Sequence, residues 1–241
     1  MIHDDTNTSV NLQIRSTPIS AQYAESLIVL SRSLKTFIFE NGPWDSKVAN
    51  AFCSIGNIYS HTGMLHEALA MYEKDLQVCL HTLDPASIRV AGAKYNAGLA
   101  ACRIGRCSEA LSLLEDAFHI RMDALGPQHV LVADALAGIG GVYSCAGRHA
   151  EALERYQQDI AIRRALDPDH FTLALSLRNS ASARACLGQN DLAIQECGEA
   201  HVIFLQRLGP LHPFTIKTQQ MLANLASDDP KPMREKQVVL P

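Results

Sequence analysis

Three histidines follow the same kind of step in this chain: His129 in LGPQH, His170 in LDPDH and His212 in LGPLH. A neutral imidazole is a common metal ligand and a ready general base, so three of them in matched contexts could mark a metal or catalytic centre. A second set points to soft-metal or redox chemistry. Cys102, Cys145 and Cys186 fall at the ends of successive predicted helices, and His61 holds the same place one unit earlier. Spacing decides between a site and punctuation. Metal ligands must converge to about 2 Å from the ion, whereas residues that recur once per structural unit lie about a unit apart. The histidines are therefore expected to belong to joints between units, and the cysteines to act as small buried hydrophobes. No metal site and no cofactor is expected. GxSxG, GxxxxGK[ST] and HExxH are absent from the sequence, so the expectation is a protein that is not an enzyme.

The elements that carry these residues follow from a repeat. The steps Gly42-Pro43, Asp84-Pro85, Gly126-Pro127, Asp167-Pro168 and Gly209-Pro210 are separated by 42, 42, 41 and 42 residues. Gly63, Gly105, Gly147 and Gly188 run in the same register, and Ala68, Ala110, Ala152 and Ala193 follow each by five. Each unit reads as two helices. The glycine of the second series ends the first helix in a left-handed turn, and the Pro step is expected to open the next unit by starting its first helix. A small residue sits midway along each first helix: Gly56, Gly98, Gly140, Ala181 and Ala223. Glycine there costs about 1 kcal/mol relative to alanine, which predicts a close helix approach, with the recurring alanine as the partner. Ile55, Tyr59, Leu69 and Tyr72, and likewise Ile139, Tyr143, Leu153 and Tyr156, are the expected core.

Composition sets limits. The chain has 241 residues, 47% of them hydrophobic, and a formal net charge of -4. That balance lacks the basic footprint of a nucleic-acid binder. Its longest apolar window, Val130 to Tyr143, contains Asp134 and falls short of a membrane span. Seven cysteines, an odd number without a CxxC pair, fit reduced thiols. With a polar start and no secretory pattern, a cytoplasmic protein is expected, with neither nucleic acid nor membrane as partner.

The series Gly56, Tyr59, Gly63, Ala68, Tyr72, repeated as Gly140, Tyr143, Gly147, Ala152, Tyr156, resembles the tetratricopeptide repeat. The 42-residue period, the LGPxH joints and the EAL that opens second helices are similar to the longer repeats of kinesin light chain and related scaffolds. The second unit departs with Ala101 and Leu114 in place of the two aromatics, and the fourth with Arg184 and Cys197. The resemblance implies an all-α, right-handed superhelical solenoid of antiparallel helix pairs over residues 19–226: a half repeat at 19–41, full repeats at 42–83, 84–125, 126–166 and 167–208, and a closing helix at 209–226. Residues 1–18 are expected to be disordered or weakly helical, and 227–241 a disordered tail.

Charge is unevenly shared between the helix types. First-helix windows carry Lys47, Arg89, Lys94, Arg103, Arg178, Arg184 and Lys217 against Asp45 and Asp134. The second helices are net acidic, and their runs MYEKD, LLED and ALERYQQD are expected to be solvated outer faces. The family lines its concave groove mainly with first helices, so the resemblance implies a mildly positive inner face. Its positions would be Asn57, His61, Tyr95, Asn96, Arg103, Asp134, Arg178, Asn179, Ser182 and Lys217, with small residues such as Ala137 and Gly141 leaving room for a ligand. The expected function is a non-catalytic interaction module or adaptor that binds a peptide segment of another protein, and a positive face favours an acidic one. Cys53 stands where chaperone-docking relatives carry Lys, which disfavours that role. The alternative is a self-associating adaptor that stacks through its incomplete ends, exposing Leu27, Leu30 and Phe37. Less favoured is a metal- or redox-dependent regulator.

Overall fold

The computed structural model describes residues 21–167 and 170–227. The expectations for residues 1–18, for Pro168 and for the tail from 228 onward lie outside these residues. The described residues form ten helices in two compact units, divided after Pro85. The first unit holds α1 (Ala21–Asn41), α2 (Ser46–His61) and α3 (Leu65–Thr82). The second holds α4 (Ile88–Arg103), α5 (Cys107–Leu125), α6 (Val130–Cys145), α7 (His149–Leu166), α8 (Phe171–Cys186), α9 (Asn190–Leu208) and α10 (Pro213–Leu225). The fold is all-α and built from antiparallel helix pairs. Among the described residues, no helix is long and apolar enough to cross a membrane.

The hinge of each pair is set by backbone chemistry. At the end of α6, Gly147 takes φ +73°, its N–H donates to Ser144 O (3.1 Å), and the Arg148 N–H donates to Tyr143 O (2.8 Å). These two bonds satisfy carbonyls that the helix end leaves open. A side chain at Gly147 would be strained in this conformation. The same outer bond recurs from Met64 to Tyr59, Arg106 to Ala101 and Gln189 to Arg184, each at 2.9 Å.

The joints differ from the expectation in one respect. Pro43, Pro85, Pro127 and Pro210 lie in the connecting turns and do not start helices; Pro213 alone among the described prolines occupies the first turn of one. Helix starting falls instead to the residue that follows the turn. The Leu131 N–H donates to His129 Nδ1 (3.1 Å), the Thr172 N–H to His170 Nδ1 (3.3 Å) and the Phe214 N–H to His212 Nδ1 (3.2 Å). Asp45 and Ser87 do the same work for α2 and α4. Nδ1 sits as many bonds from Cβ as the Oδ1 of Asp or Asn, so an imidazole unprotonated at Nδ1 reaches an open helix donor in the same way. The histidines are joint residues, and their task is capping.

Within a pair, the small first-helix residue meets the later aromatic or leucine first, and at Gly98 it meets the recurring Ala110 as well, through its carbonyl oxygen. A Cβ on Gly140 would lie 2.7 Å from Tyr156 Cε1, one on Gly56 2.7 Å from Tyr72 Cε1, and one on Gly98 2.8 Å from Leu114 Cγ. The expected close approach exists, and the nearest side chain in it is the later aromatic or leucine. The expected core residues Ile55, Tyr59, Leu69, Tyr72, Ile139, Tyr143, Leu153 and Tyr156 are all buried.

In the second unit α6 is buried nearly all round, because it packs against α4, α5, α7 and α8. That accounts for the apolar window beginning at Val130: the helix has no water-facing stripe. In the first unit α1 lies on α2, and this contact buries Leu27 and Leu34. Leu27 is therefore covered rather than presented, while Leu30 and Phe37 are half-buried; the apolar residues α1 does expose are Tyr23, Ile28, Val29 and Phe39.

Two expectations follow for stability. Gly140→Ala drives a methyl into the fully buried Tyr156 ring and should destabilise by about 1–3 kcal/mol in spite of alanine's helix propensity. Gly198→Ala, in α9 with nothing near the new Cβ, should stabilise by about 0.5–1 kcal/mol; urea unfolding of both variants reads the two signs. His129→Ala should cost about 1 kcal/mol and His129→Asn much less, by the same measurement.

Candidate functional site

The residues singled out as a binding surface divide between the two units. Asn57 and His61 belong to the first, where both are exposed, and Asn57 Oδ1 accepts the Tyr72 hydroxyl (2.8 Å). The others belong to the second unit. There α4 packs on α6, and α6 more narrowly on α8, while the second helices of the described residues approach each other less. First helices thus form one layer and second helices the other.

Tyr95 and Asp134 are brought together in a polar cluster that spans this layer. The Arg121 guanidinium lies 4.4 Å from the centre of the Tyr95 ring, and its Nη1 donates to Leu131 O (2.8 Å). Arg163 donates to Asp159 Oδ1 through Nε (2.6 Å) and to Asp134 Oδ1 through Nη2 (2.7 Å). Arg121, Asp159 and Arg163 are buried. Burial pushes the Asp159 carboxyl up to about 6, against the pull of Arg163. Burial also works against the charge of Arg163, but Asp159 and Asp134 outweigh it and hold its pKa up. Burial raises the Tyr95 hydroxyl, and Asp134 raises it further.

Two positions depart from the solvated-face expectation for second helices, while Glu73, Glu115, Asp116 and Glu154 in the same runs are exposed as expected. Asp75 in MYEKD and Asp159 in ALERYQQD have no exposed surface. A signal was present: the two aspartates are 84 residues apart, in register, and Asp159 precedes Arg163 by one helical turn. Nothing in the charge pattern told a solvated pair from a buried one.

The remaining positions vary in exposure. Arg103 and Lys217 are exposed, and Asn96 and Ser182 are half-buried. Arg178 and Asn179 are buried at 5% and 4% exposure; the Arg178 guanidinium lies 5.5 Å from the Phe214 ring centre, and burial lowers its pKa. Ala137 and Gly141 are buried as well, so they leave no open space. Two first-helix cations are turned to second helices: Lys94 pairs with Asp116 of α5, and Arg184 Nε with Glu196 of α9 (2.9 Å). The positive excess of the first helices is thus partly consumed within hairpins.

The cysteines also have distinct surroundings. Cys79 Sγ donates to Asp75 Oδ1 (3.5 Å) and Cys197 Sγ to Thr218 O (3.6 Å), both inside the core. Cys102 is buried, while Cys145 is exposed.

Asp159 has a carboxyl pKa that folding raises from 3.8 to about 6. The folded chain then holds the extra proton between these values, so the contribution of Asp159 to stability is present below about pH 4 and lost as pH rises through about 6. Urea unfolding of the native chain and of Asp159→Asn across this range should show native stability falling relative to the variant as pH rises; the opposite slope would contradict the assigned shift. Arg163→Met, which leaves two carboxylates without their cation, should cost about 3–5 kcal/mol at neutral pH.

Comparison with known proteins agrees with this architecture. Tetratricopeptide-repeat family models match residues 53–86 and 89–165. No curated protein matches the chain. Among solved structures, a kinesin light chain of Podosopora anserina with nearly identical TPR-like repeats is 20% identical with a TM-score of 0.64, over 77% of this chain and 88% of that one. BtubC from P. vanneervenii is 16% identical with a TM-score of 0.67, over 86% and 84%. The apo form of RapI is 11% identical with a TM-score of 0.73, over 87% and 73%. Residues 53–86 and 89–165 are accordingly tetratricopeptide repeats, and the chain has the fold of kinesin-light-chain-like repeats.

Proposed function

We propose that the chain is a non-catalytic protein-interaction module, and that the first-helix layer of its second unit takes an extended, acidic segment of a partner protein. The observation that carries this reading is the direct packing of α4 on α6 and of α6 on α8. Such packing draws one side of a helical stack together, which is how stacked hairpins make a concave surface. Arg103 and Lys217 supply exposed positive charge. Asn96, Ser182, Asp134 and Tyr95 belong to the same first helices, as do the buried Arg178 and Asn179. Asn57 and His61 are the corresponding positions in the first unit. Charge of this kind acts mainly on orientation and association rate.

Arg178 is a poor choice for a test, because a charge reversed there would be buried against Phe214. The double variant Arg103→Glu, Lys217→Glu changes exposed groups and should leave folding intact. Partners captured by the native chain, once identified by mass spectrometry, should bind the variant about tenfold more weakly, with reduced sensitivity to salt. Unchanged affinity in a folded double variant would move the binding surface elsewhere. Self-association is the second reading, favoured by Ile28, Val29 and Phe39 exposed on α1. Light scattering at high concentration separates the two, since a strict monomer has no use for that face in self-assembly.

A further inference from the structure

Cys102 lies in the last turn of α4 and Cys145 is the last residue of α6. Because α4 packs on α6, the two thiols meet across consecutive hairpins and share a hydrogen bond. Cys107, the first residue of α5, is close enough to act electrostatically on Cys102. The pair does not follow from the repeat: the residues in register with Cys102 and Cys145 are Ser144 and Arg103. Nor is it sealed in the core. Cys145 is an exposed residue and Cys102 a buried one, so Cys145 is the member of the pair nearer to solvent. This is the arrangement of an attacking thiol with a resolving thiol behind it.

We propose that Cys102 and Cys145 are a redox modification site, forming a reversible disulfide between α4 and α6 by exchange with a low-molecular-weight disulfide. The Cys145 thiolate attacks one sulfur of the small disulfide, forms a mixed disulfide and releases a first small thiolate. The Cys102 thiol gives its proton to solvent, attacks the Cys145 sulfur, closes the protein disulfide and releases the second. Two protein thiols are oxidised and one small disulfide is reduced to two thiols. Polarity agrees with this order: the hydrogen bond from Cys102 holds the Cys145 thiol down at about 7, while that bond and burial push Cys102 up. Cys145 is thus the better nucleophile near neutral pH. Among the described residues, no group of three or more His, Cys, Asp or Glu side chains is disposed to hold a metal ion, so dithiol chemistry is what the pair offers. The bond would close residues 102–145 into a loop and restrict the unfolded chain.

The test equilibrates the full chain at neutral pH in glutathione buffers of rising oxidised fraction, traps free thiols and maps cysteines by mass spectrometry without reduction. The expected product joins the Cys102 and Cys145 peptides, is lighter by two hydrogens, forms ahead of any other cysteine pair, raises Tm, and disappears with dithiothreitol. Cys102→Ser should leave a persistent glutathione adduct on Cys145. Cys145→Ser, a change at an exposed position, should leave Cys102 unmodified. A stable adduct on Cys145 of the native chain, preferential linkage of other cysteines, or a chain that stays fully reduced in the most oxidising buffer would each overturn the proposal.

Discussion

The apposition of a backbone without a side chain against a buried ring is the contact on which the rest of the molecule depends. Where Gly56 and Gly140 lack a Cβ, Tyr72 and Tyr156 occupy the space, and the two helices of a pair can lie close. The recurring alanines Ala68 and Ala152, one turn before those rings, are also buried. The contact tolerates exchange on one side or on both. Gly98 faces Leu114, and in the fourth pair Ala181 stands in the glycine position while Cys197 replaces the ring. In the fourth pair, volume added on one helix is removed from the other, as close packing requires.

Stacking of pairs in the second unit uses a different device. One second-helix position reaches towards the first helix of the following pair: Arg121 donates to a carbonyl of α6, and Phe204, in the same register two pairs later, stacks on Phe214 of α10. A guanidinium and a phenyl ring thus serve one place in the fold. The arginine stays charged because the chain supplies a ring, a carbonyl or carboxylates around it. Arg163, with Asp159 and Asp134, is the fullest case. Such networks are costly to leave half-made and so favour one arrangement of neighbours over others.

These contacts bear on how a binding face can be built. A helix layer whose central member, α6, is buried along most of its length has little free surface there. Exposed first-helix charge in the second unit lies near a helix end and on the closing helix, at Arg103 and Lys217. Positions that the family resemblance assigns to a ligand are in several cases already occupied within the chain: Tyr95 by Arg121, Asp134 by Arg163 and Arg178 by Phe214. The candidate surface is narrower than a list of first-helix polar residues suggests.

What the sequence by itself determined is local and periodic. The 42-residue spacing, the glycine hinges and the paired helices follow from backbone conformations that few residue types adopt, and those residues recur in register. A histidine cap was hidden because imidazole is not among the usual capping residues, although its Nδ1 is placed to do the work. Tertiary structure alone decided the fate of the charges and thiols. Asp116 and Asp159 both read as second-helix acids, yet one meets Lys94 near solvent and the other lies fully buried beside Arg163. Cys102 and Cys145 are far apart in sequence and out of register, yet their sulfurs meet. The physical reason is the same in each case: burial and ionisation depend on which neighbouring helix arrives, and no local pattern carries that information.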